Sequence, residues 1–377
     1  MSDVVDLLAQ LIRIDSSNPD LVSGAAGEGA IGDFIEQWFR SNDFEVHRLE
    51  KHSGRPSIVG ISRGNGSGKS LMLNGHIDTV SLGSYEGNGL DPVINDGIMF
   101  GRGSFDMKGG IAAMMVAAKQ AKLMGHSGDL LVACVADEEA ASFGTEEVLE
   151  HFKSAAGLVI EPSYLQVTMS HKGFAWFDVV IHGRAAHGSR PELGIDAIAK
   201  AGHFLVALEE YAVTLAGKLD PILGPGTVHA SLISGGEEAS SYPAQCTITL
   251  ERRTIPGETF ESVQRELREI LDSLTQSVSD FSYSLIPGLT RSSFKADPES
   301  EIARIAVRHL GSALGHEPLI RAEPFWTDCA LLDQAGIPCL LFGVDGDGAH
   351  AASEWVTLES LEIVTETLKN IVMDYCR

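Results

Sequence analysis

Three apolar runs in this chain stop on the same kind of residue. Leu71-Met72-Leu73-Asn74-Gly75 ends at His76, with Asp78 two positions on. Leu130–Ala136 ends in Asp137-Glu138-Glu139, and Leu158–Ile160 ends at Glu161-Pro162. An uninterrupted apolar strand, unlike an alternating one, suits a sheet covered on both faces by helices. In open α/β sheets ligands bind off the carboxyl ends of the strands. Strand ends that repeatedly carry an imidazole or a carboxylate therefore restrict the chain to an α/β architecture with a polar centre along one sheet edge.

The next piece lies between the first two runs. Gly101-Arg102-Gly103-Ser104-Phe105-Asp106-Met107-Lys108-Gly109-Gly110 is a Gly-rich turn that presents Asp106 and enters a helix. That helix, 109–124, is Ala- and Met-rich nearly all round, so it is expected to be buried, with its methionines as core filler. Upstream, apolar residues at helical spacing predict helices over 4–14 and 30–40, and strands over 44–49 and 57–61. Gly68-Lys69-Ser70 resembles the end of a phosphate-binding loop, but its first glycine would fall at Arg63 and a strand follows it, not a helix.

From about Phe174 the texture changes. Strands over 176–182, 227–233, 246–250 and 280–286 and helices over 194–210 and 258–275 give the order strand, helix, strand, strand, helix, strand. That is the split βαβ, ferredoxin-like layout. Helices over 298–314, 328–335 and 358–375 and a strand over 339–342 then resume the earlier alternation. A chain of 377 residues exceeds one ordinary core. Two domains are expected: 1–173 with 289–377, and an inserted 174–288.

The formal charge of −24, from 28 basic and 52 acidic residues, argues against nucleic acid and anionic membrane surfaces as partners. Cys134, Cys246, Cys329, Cys339 and Cys376 are scattered and read as reduced thiols of a cytoplasmic protein. Met1-Ser2-Asp3 lacks the basic start of a signal peptide, and runs such as Ile111–Ala118 are too short to span a bilayer.

In chain order the candidates at strand ends are His76, Asp106, Glu138, Glu139, Glu161 and His350. Singly, each has an ordinary alternative. A histidine after a strand is usually a core or surface histidine. A Glu-Glu pair is usually favoured by a helix N-terminus, and Asp106 could be an N-cap. Together, converging carboxylates would repel one another unless divalent cations sat among them. An aspartate bridging two metals, with one further carboxylate and one histidine on each, is chemically complete and leaves a place for water.

These stretches resemble the M20 metallopeptidase and aminoacylase family. The matching segments are Gly75–Val80, Gly101–Gly110, Asp137–Glu139, Glu161-Pro162, Gly183–Gly188, Arg253–Glu258 and Ala349–Glu354. The resemblance implies a zinc-hydrolase catalytic domain, with a mixed sheet flanked by helices, and an inserted α+β ferredoxin-like lid through which the chain forms a homodimer. It implies one zinc on His76, Asp106 and Glu161 and another on Asp106, Glu139 and His350, with cobalt able to substitute. Asp78 would orient His76, and the Asp106–Met107 peptide would be cis. Glu138 would be the general base that takes a proton from the attacking water and passes it to the leaving amine. His187 would stabilise the oxyanion across the dimer, Arg253 would meet a substrate carboxylate, and Thr327 would border the pocket.

The implied activity is removal of the acyl group from an N-acyl amino acid, as in acetylornithine deacetylase. A dipeptidase, a glutamate-carboxypeptidase-like exopeptidase or a succinyl-diaminopimelate desuccinylase would use the same site. A non-catalytic relative that only binds an acyl amino acid is the alternative from another class; the survival of Glu138 and every ligand speaks against it. The chain departs from the family pattern around the pocket: Ser240 stands where an Asn is usual. Gly343-Val344-Asp345-Gly346-Asp347-Gly348 and Ser353 differ from the common loop, and 81–90 lacks a frequent Trp.

Overall fold

The apolar runs become parallel neighbours. In the computed structural model, which describes residues 2–377, strands Leu130–Val135, Leu71–His76, Ala156–Val159 and Cys339–Leu341 lie side by side in that order. All three contacts between them are parallel, and every residue of the four strands is buried. Antiparallel strands extend the sheet: Ser57–Ser62 and then Glu45–Leu49 beyond Leu130–Val135, and Val167–His171 beside Cys339–Leu341. The sheet is mixed, as expected.

Side chains alternate across Leu71–His76 and show why both faces are covered. Gly75 faces helix Lys108–Met124 so closely that a Cβ there would lie 2.6 Å from Met107 Cε. Asn74 points the other way, and its Nδ2 donates to Thr145 Oγ1 of helix Phe143–His151 at 3.1 Å. Helices Asp3–Ile12 and Leu358–Tyr375 pack on Lys108–Met124, while Cys329–Gln334 packs on Phe143–His151.

Two close approaches draw the site together. Gly110 sits on the carbonyl of Ile160, where a Cβ would be 2.2 Å from the oxygen. The helix that follows Asp106 can therefore rest on the strand end that delivers Glu161. A small antiparallel sheet of Gly346–Asp347, Trp355–Thr357, Ile98–Phe100 and Val93–Asn95 ties the loop bearing His350 to the segment that enters Gly101–Asp106. Gly68-Lys69-Ser70 feeds a strand, and Lys69 pairs with Glu301.

The chain divides into two compact units. The first takes residues up to Met169 with Ala296–Arg321 and Thr327–Arg377; the second is Ser170–Lys295 with Ala322–Trp326. Against the expected 174–288, the second unit is wider at both ends, and strand Gly173–His182 pairs with a long partner, Ser282–Arg291. Its sheet runs in the order Thr227–Gly235, Gln245–Thr254, Gly173–His182, Ser282–Arg291. Phe177, Val179, Ile181, Ile248 and Leu250 from the strands meet Phe204 and Leu208 of helix Ala197–Leu215 and Val263 and Leu267 of helix Phe260–Ser277 in one core.

Helix Phe143–His151 and strand Val167–His171 are among the elements that escape a periodicity reading. Both bury polar residues, Thr145 and Glu147 in one and Thr168, Ser170 and His171 in the other. Burial of polar groups erases the contrast on which periodicity depends.

Gly110→Ala should lower stability by about 1–3 kcal/mol, because the new methyl meets a backbone carbonyl that cannot move aside. Gly202→Ala, on helix Ala197–Leu215 where a Cβ meets nothing within 4 Å, should instead raise it by about 0.5–1 kcal/mol. Urea unfolding of the two variants checks both signs.

Candidate metal centre

His76 is the last residue of its strand and is buried. Its Nδ1–H donates to the Asp78 carbonyl at 2.9 Å, so Nε2 is the nitrogen presented to the centre. Nε2 stands 3.0 Å from Asp106 Oδ1 and 3.6 Å from Glu161 Oε1. The other oxygen, Asp106 Oδ2, is 3.4 Å from His350 Nε2, which is 2.9 Å from Glu139 Oε2. Ligand-type atoms of His76, Asp106 and Glu139 lie within 4.8 Å of one another, as do those of His76, Glu138 and Glu161. The peptide between Asp106 and Met107 is cis. All six strand-end candidates are thus brought to one place.

The electrostatics follow from burial and crowding. Burial, then the charge of Glu161, pushes Glu138 well above the usual carboxylate range. Burial raises Glu161 as well, against the pull of His76. Glu139 is pushed up to about 7 by burial and by the charge of Asp106. Asp106 goes the other way: hydrogen bonds from His350 and His76 outweigh its burial. Hydrogen bonds to Asp106 and Glu139 raise His350 to about 10. Burial disfavours a charged His76, yet Glu161 and Asp106 hold its pKa well above the ordinary value.

This donor set fits divalent cations. It combines imidazole nitrogens with hard carboxylate oxygens. It also leaves Glu139 Oε1 buried with no hydrogen-bond partner among the described residues, an arrangement that a cation would satisfy.

Two further carboxylates hold the backbone that carries these groups. Asp78 accepts the N–H of Glu138 on Oδ1 at 3.1 Å and that of Glu139 on Oδ2 at 3.2 Å. The expected contact of Asp78 with His76 is made by its main-chain oxygen; the carboxylate stands 3.6 Å from the ring. Glu354, buried, accepts from the N–H groups of Phe105, Asp106 and Gly103 at 3.0, 2.9 and 2.8 Å and from Arg102 Nη1 at 3.0 Å. Nothing in the local sequence signals that role, because the partners are some 250 residues apart.

The remaining predicted residues divide by unit. Thr327 is buried, and its Oγ1 accepts the N–H of Cys329 at 3.4 Å at the start of a helix. Its neighbour Asp328 is the one whose charge bears on Glu138 and Glu161. His187 and Arg253 belong to the second unit. His187 is exposed; its Nδ1 accepts the N–H of Ser189 at 3.2 Å, which leaves Nε2 to carry the proton. Arg252 is fully buried and tied to Glu258 and to Tyr211 Oη, whereas Arg253 is half-buried, over the Phe174 ring with Nε donating to Glu251. Of the two arginines, Arg253 is the one available to a ligand. Lys172, which no sequence signal singled out, lies among these cations with its ammonium on the Pro225 carbonyl.

Comparison with known proteins gives a family match, relatives in sequence and likenesses in fold. Residues 72–374 match the model of peptidase family M20/M25/M40. Over 328 residues the chain is 30% identical to acetylornithine deacetylase of Myxococcus xanthus, covering 85% of this chain and 84% of the relative. The fold matches that of aminopeptidase PepT from Bacillus cereus ATCC 10987 with a TM-score of 0.80 at 18% identity, covering 100% of this chain and 98% of the other. It also matches the YXEP protein of Bacillus subtilis, described as a dinuclear metal binding peptidase, with a TM-score of 0.75 at 16% identity and coverage of 99% and 97%.

Because burial and neighbouring charge raise Glu139 to about 7, the carboxylates hydrogen-bonded to His350 raise it to about 10, and His76 and Glu161 are raised above their ordinary values as well, cation binding displaces protons. Zinc titrated into metal-free protein at pH 7 should release protons, and affinity should rise between pH 6 and 8. Calorimetry in buffers of different ionisation enthalpy reads this directly; no buffer dependence would contradict it.

Proposed function

The chain belongs to peptidase family M20/M25/M40 and is a hydrolase of amide bonds, and from that premise we propose that it removes the acyl group of an N-acyl amino acid, as an acetylornithine deacetylase does, at a centre for two zinc ions. The observation that carries the reading is the placing of Asp106, which turns one oxygen to His76 and the other to His350. One ion is assigned to His76, Asp106 and Glu161, the other to Asp106, Glu139 and His350, and cobalt can replace zinc.

Bound there, two zinc ions would lower the pKa of water and polarise the amide carbonyl. The protein's own groups do the rest. Glu138 lies beside His76 and Glu161 and in this reading is assigned to neither ion. Its raised pKa suits a group that takes a proton from water and then returns it to the departing amine. His187, with its proton on Nε2, can donate to the oxyanion. Arg253 offers a guanidinium to the substrate carboxylate, with Lys172 as a second cation nearby. An exopeptidase, to which the fold match with PepT points, or a desuccinylase would use the same centre. Side chains away from the metal ligands would separate these substrates, and Ser240 is one position at which this chain departs from the family pattern.

The homodimer is proposed through the second unit. Its strand Thr227–Gly235 is an edge strand, exposed along nearly its whole length, with Leu232 68% and Ile233 56% exposed. Val206 and Val213 of helix Ala197–Leu215 are exposed as well. An uncovered apolar edge of this kind is a pairing surface, and pairing would carry each His187 to the partner. A cytoplasmic setting fits the five cysteines, all buried and free, and no helix among the described residues is long and apolar enough to cross a membrane.

Protein purified without chelators should contain two zinc ions per chain and cleave N-acetyl amino acids in preference to dipeptides or N-succinyl substrates. Glu138→Gln should keep the metal and lose about 10²–10⁴-fold in kcat; turnover near wild type would sink the mechanism. In sedimentation the chain should run as a dimer, and Ile233→Asp should give monomers of much reduced activity. A fully active monomer would contradict the pairing.

A further inference from the structure

The carboxylate of Asp78 is completely buried, and among the described residues the only side-chain hydrogen bond it receives comes from the N-terminal segment. Asn18 Nδ2 donates to Asp78 Oδ2 at 2.8 Å. Its other amide hydrogen goes to Asp137 Oδ1 at 3.1 Å. Asp137 is the residue immediately before Glu138. Asn18 therefore bridges two loops that leave neighbouring parallel strands: one carries His76 and Asp78, the other Glu138 and Glu139.

Each end of this bridge is fixed. Asn18 Oδ1 accepts the N–H of Asp20 at 2.9 Å, which settles that the nitrogen faces the two carboxylates. The Asn18 N–H donates to the Thr79 carbonyl at 2.9 Å, and the Thr79 N–H donates to the Ser16 carbonyl at 3.0 Å. The segment thus lies alongside the residues that follow Asp78. Lys108, the residue after Met107 on the far side of the centre, anchors the same segment through Nζ to the Ile14 carbonyl at 2.8 Å. Beyond Asp137, Arg55 Nη2 donates to Asp137 Oδ1 at 2.9 Å and to Glu28 Oε1 at 2.7 Å, closing a buried polar network.

The chemistry allows few residues at position 18. Two buried carboxylates face it, and an amide supplies two N–H donors to them while its oxygen takes the Asp20 N–H. Aspartate would have the same shape but no donor, and would add a third negative charge. Alanine would leave, among the described residues, backbone donors to Asp78 and Arg55 as the donor to Asp137.

We propose that Asn18 is a positioning residue of the metal centre: it sets Asp78, and through Asp78 it sets the His76 ring and the backbone of Glu138 and Glu139. The inference rests on reading these residues as a hydrolytic metal centre, and its test separates the two. Asn18→Ala and Asn18→Asp should each weaken zinc binding and lower kcat by about 10–100-fold, leave KM near the wild-type value, and alter the visible absorption of the cobalt-substituted protein. Zinc affinity comes from competition with a chelating dye, and circular dichroism reports folding. Folded variants with wild-type zinc affinity, cobalt spectrum and kcat would overturn the assignment while leaving the centre intact. A wild-type protein that takes up no zinc would overturn the centre, and this role with it. Should neither variant fold, ¹⁵N-asparagine-labelled wild type decides. The Asn18 side-chain amide should be protected from exchange and should shift on zinc addition; an amide that exchanges freely or does not move overturns the role.

Discussion

Buried like charge is the constraint on which the structure depends. Asp106, Glu138, Glu139 and Glu161 converge at the carboxyl ends of parallel strands, where each would repel the others in partly or fully buried positions. Two histidines relieve part of this, His76 from inside and His350 from a loop at the surface. Everything nearby serves to keep the groups together against that repulsion. Glycines let backbones close on one another, as at Gly110 over Ile160 and at Gly343, where a Cβ would lie 2.2 Å from the Glu161 carbonyl.

A second pattern recurs beside the centre. Carboxylates that are not directed at a cation are used to hold backbone N–H groups. Glu354 gathers three of them from the turn before the Lys108–Met124 helix, and Asp78 gathers the two of Glu138 and Glu139. A hydrogen bond to a charged acceptor is stronger than one between neutral groups, and a carboxylate can take several at once. Each also fixes a loop whose sequence is too rich in glycine or charge to fix itself. Such loops carry the functional residues with little freedom, which is what pre-organised hydrolytic chemistry requires.

The site was legible in the sequence because its residues end strands. His76, Glu138, Glu139 and Glu161 each follow an apolar run, and the runs themselves announce a covered sheet. Asp106 was legible from the Gly-rich turn before its helix. What surrounds them was not. Arg252 and Arg253 are identical in type and adjacent in sequence, and strand alternation sends one into the core and leaves the other reachable. Thr327 and Asp328 are likewise neighbours; the first accepts an N–H at the start of a helix and the second bears on the centre. Asn18 reads locally as part of a helix stop, Ser16-Ser17-Asn18-Pro19. Its partners, at 78 and 137, are far along the chain.

The sequence by itself determined the class of fold, the alternation that makes the second unit ferredoxin-like, and the residue types offered to a metal. Those depend on local periodicity and on what chemistry a side chain possesses. Only the tertiary structure decided which oxygen of Asp106 meets which histidine, that Asp78 grips His76 through its main chain, and that Asn18 and Glu354 hold the loops. Hydrogen bonding is a relation between two positions in space. For a polar residue in a turn, many partners at any sequence distance are chemically equivalent until the packed sheet and helices bring one of them within 3 Å or so.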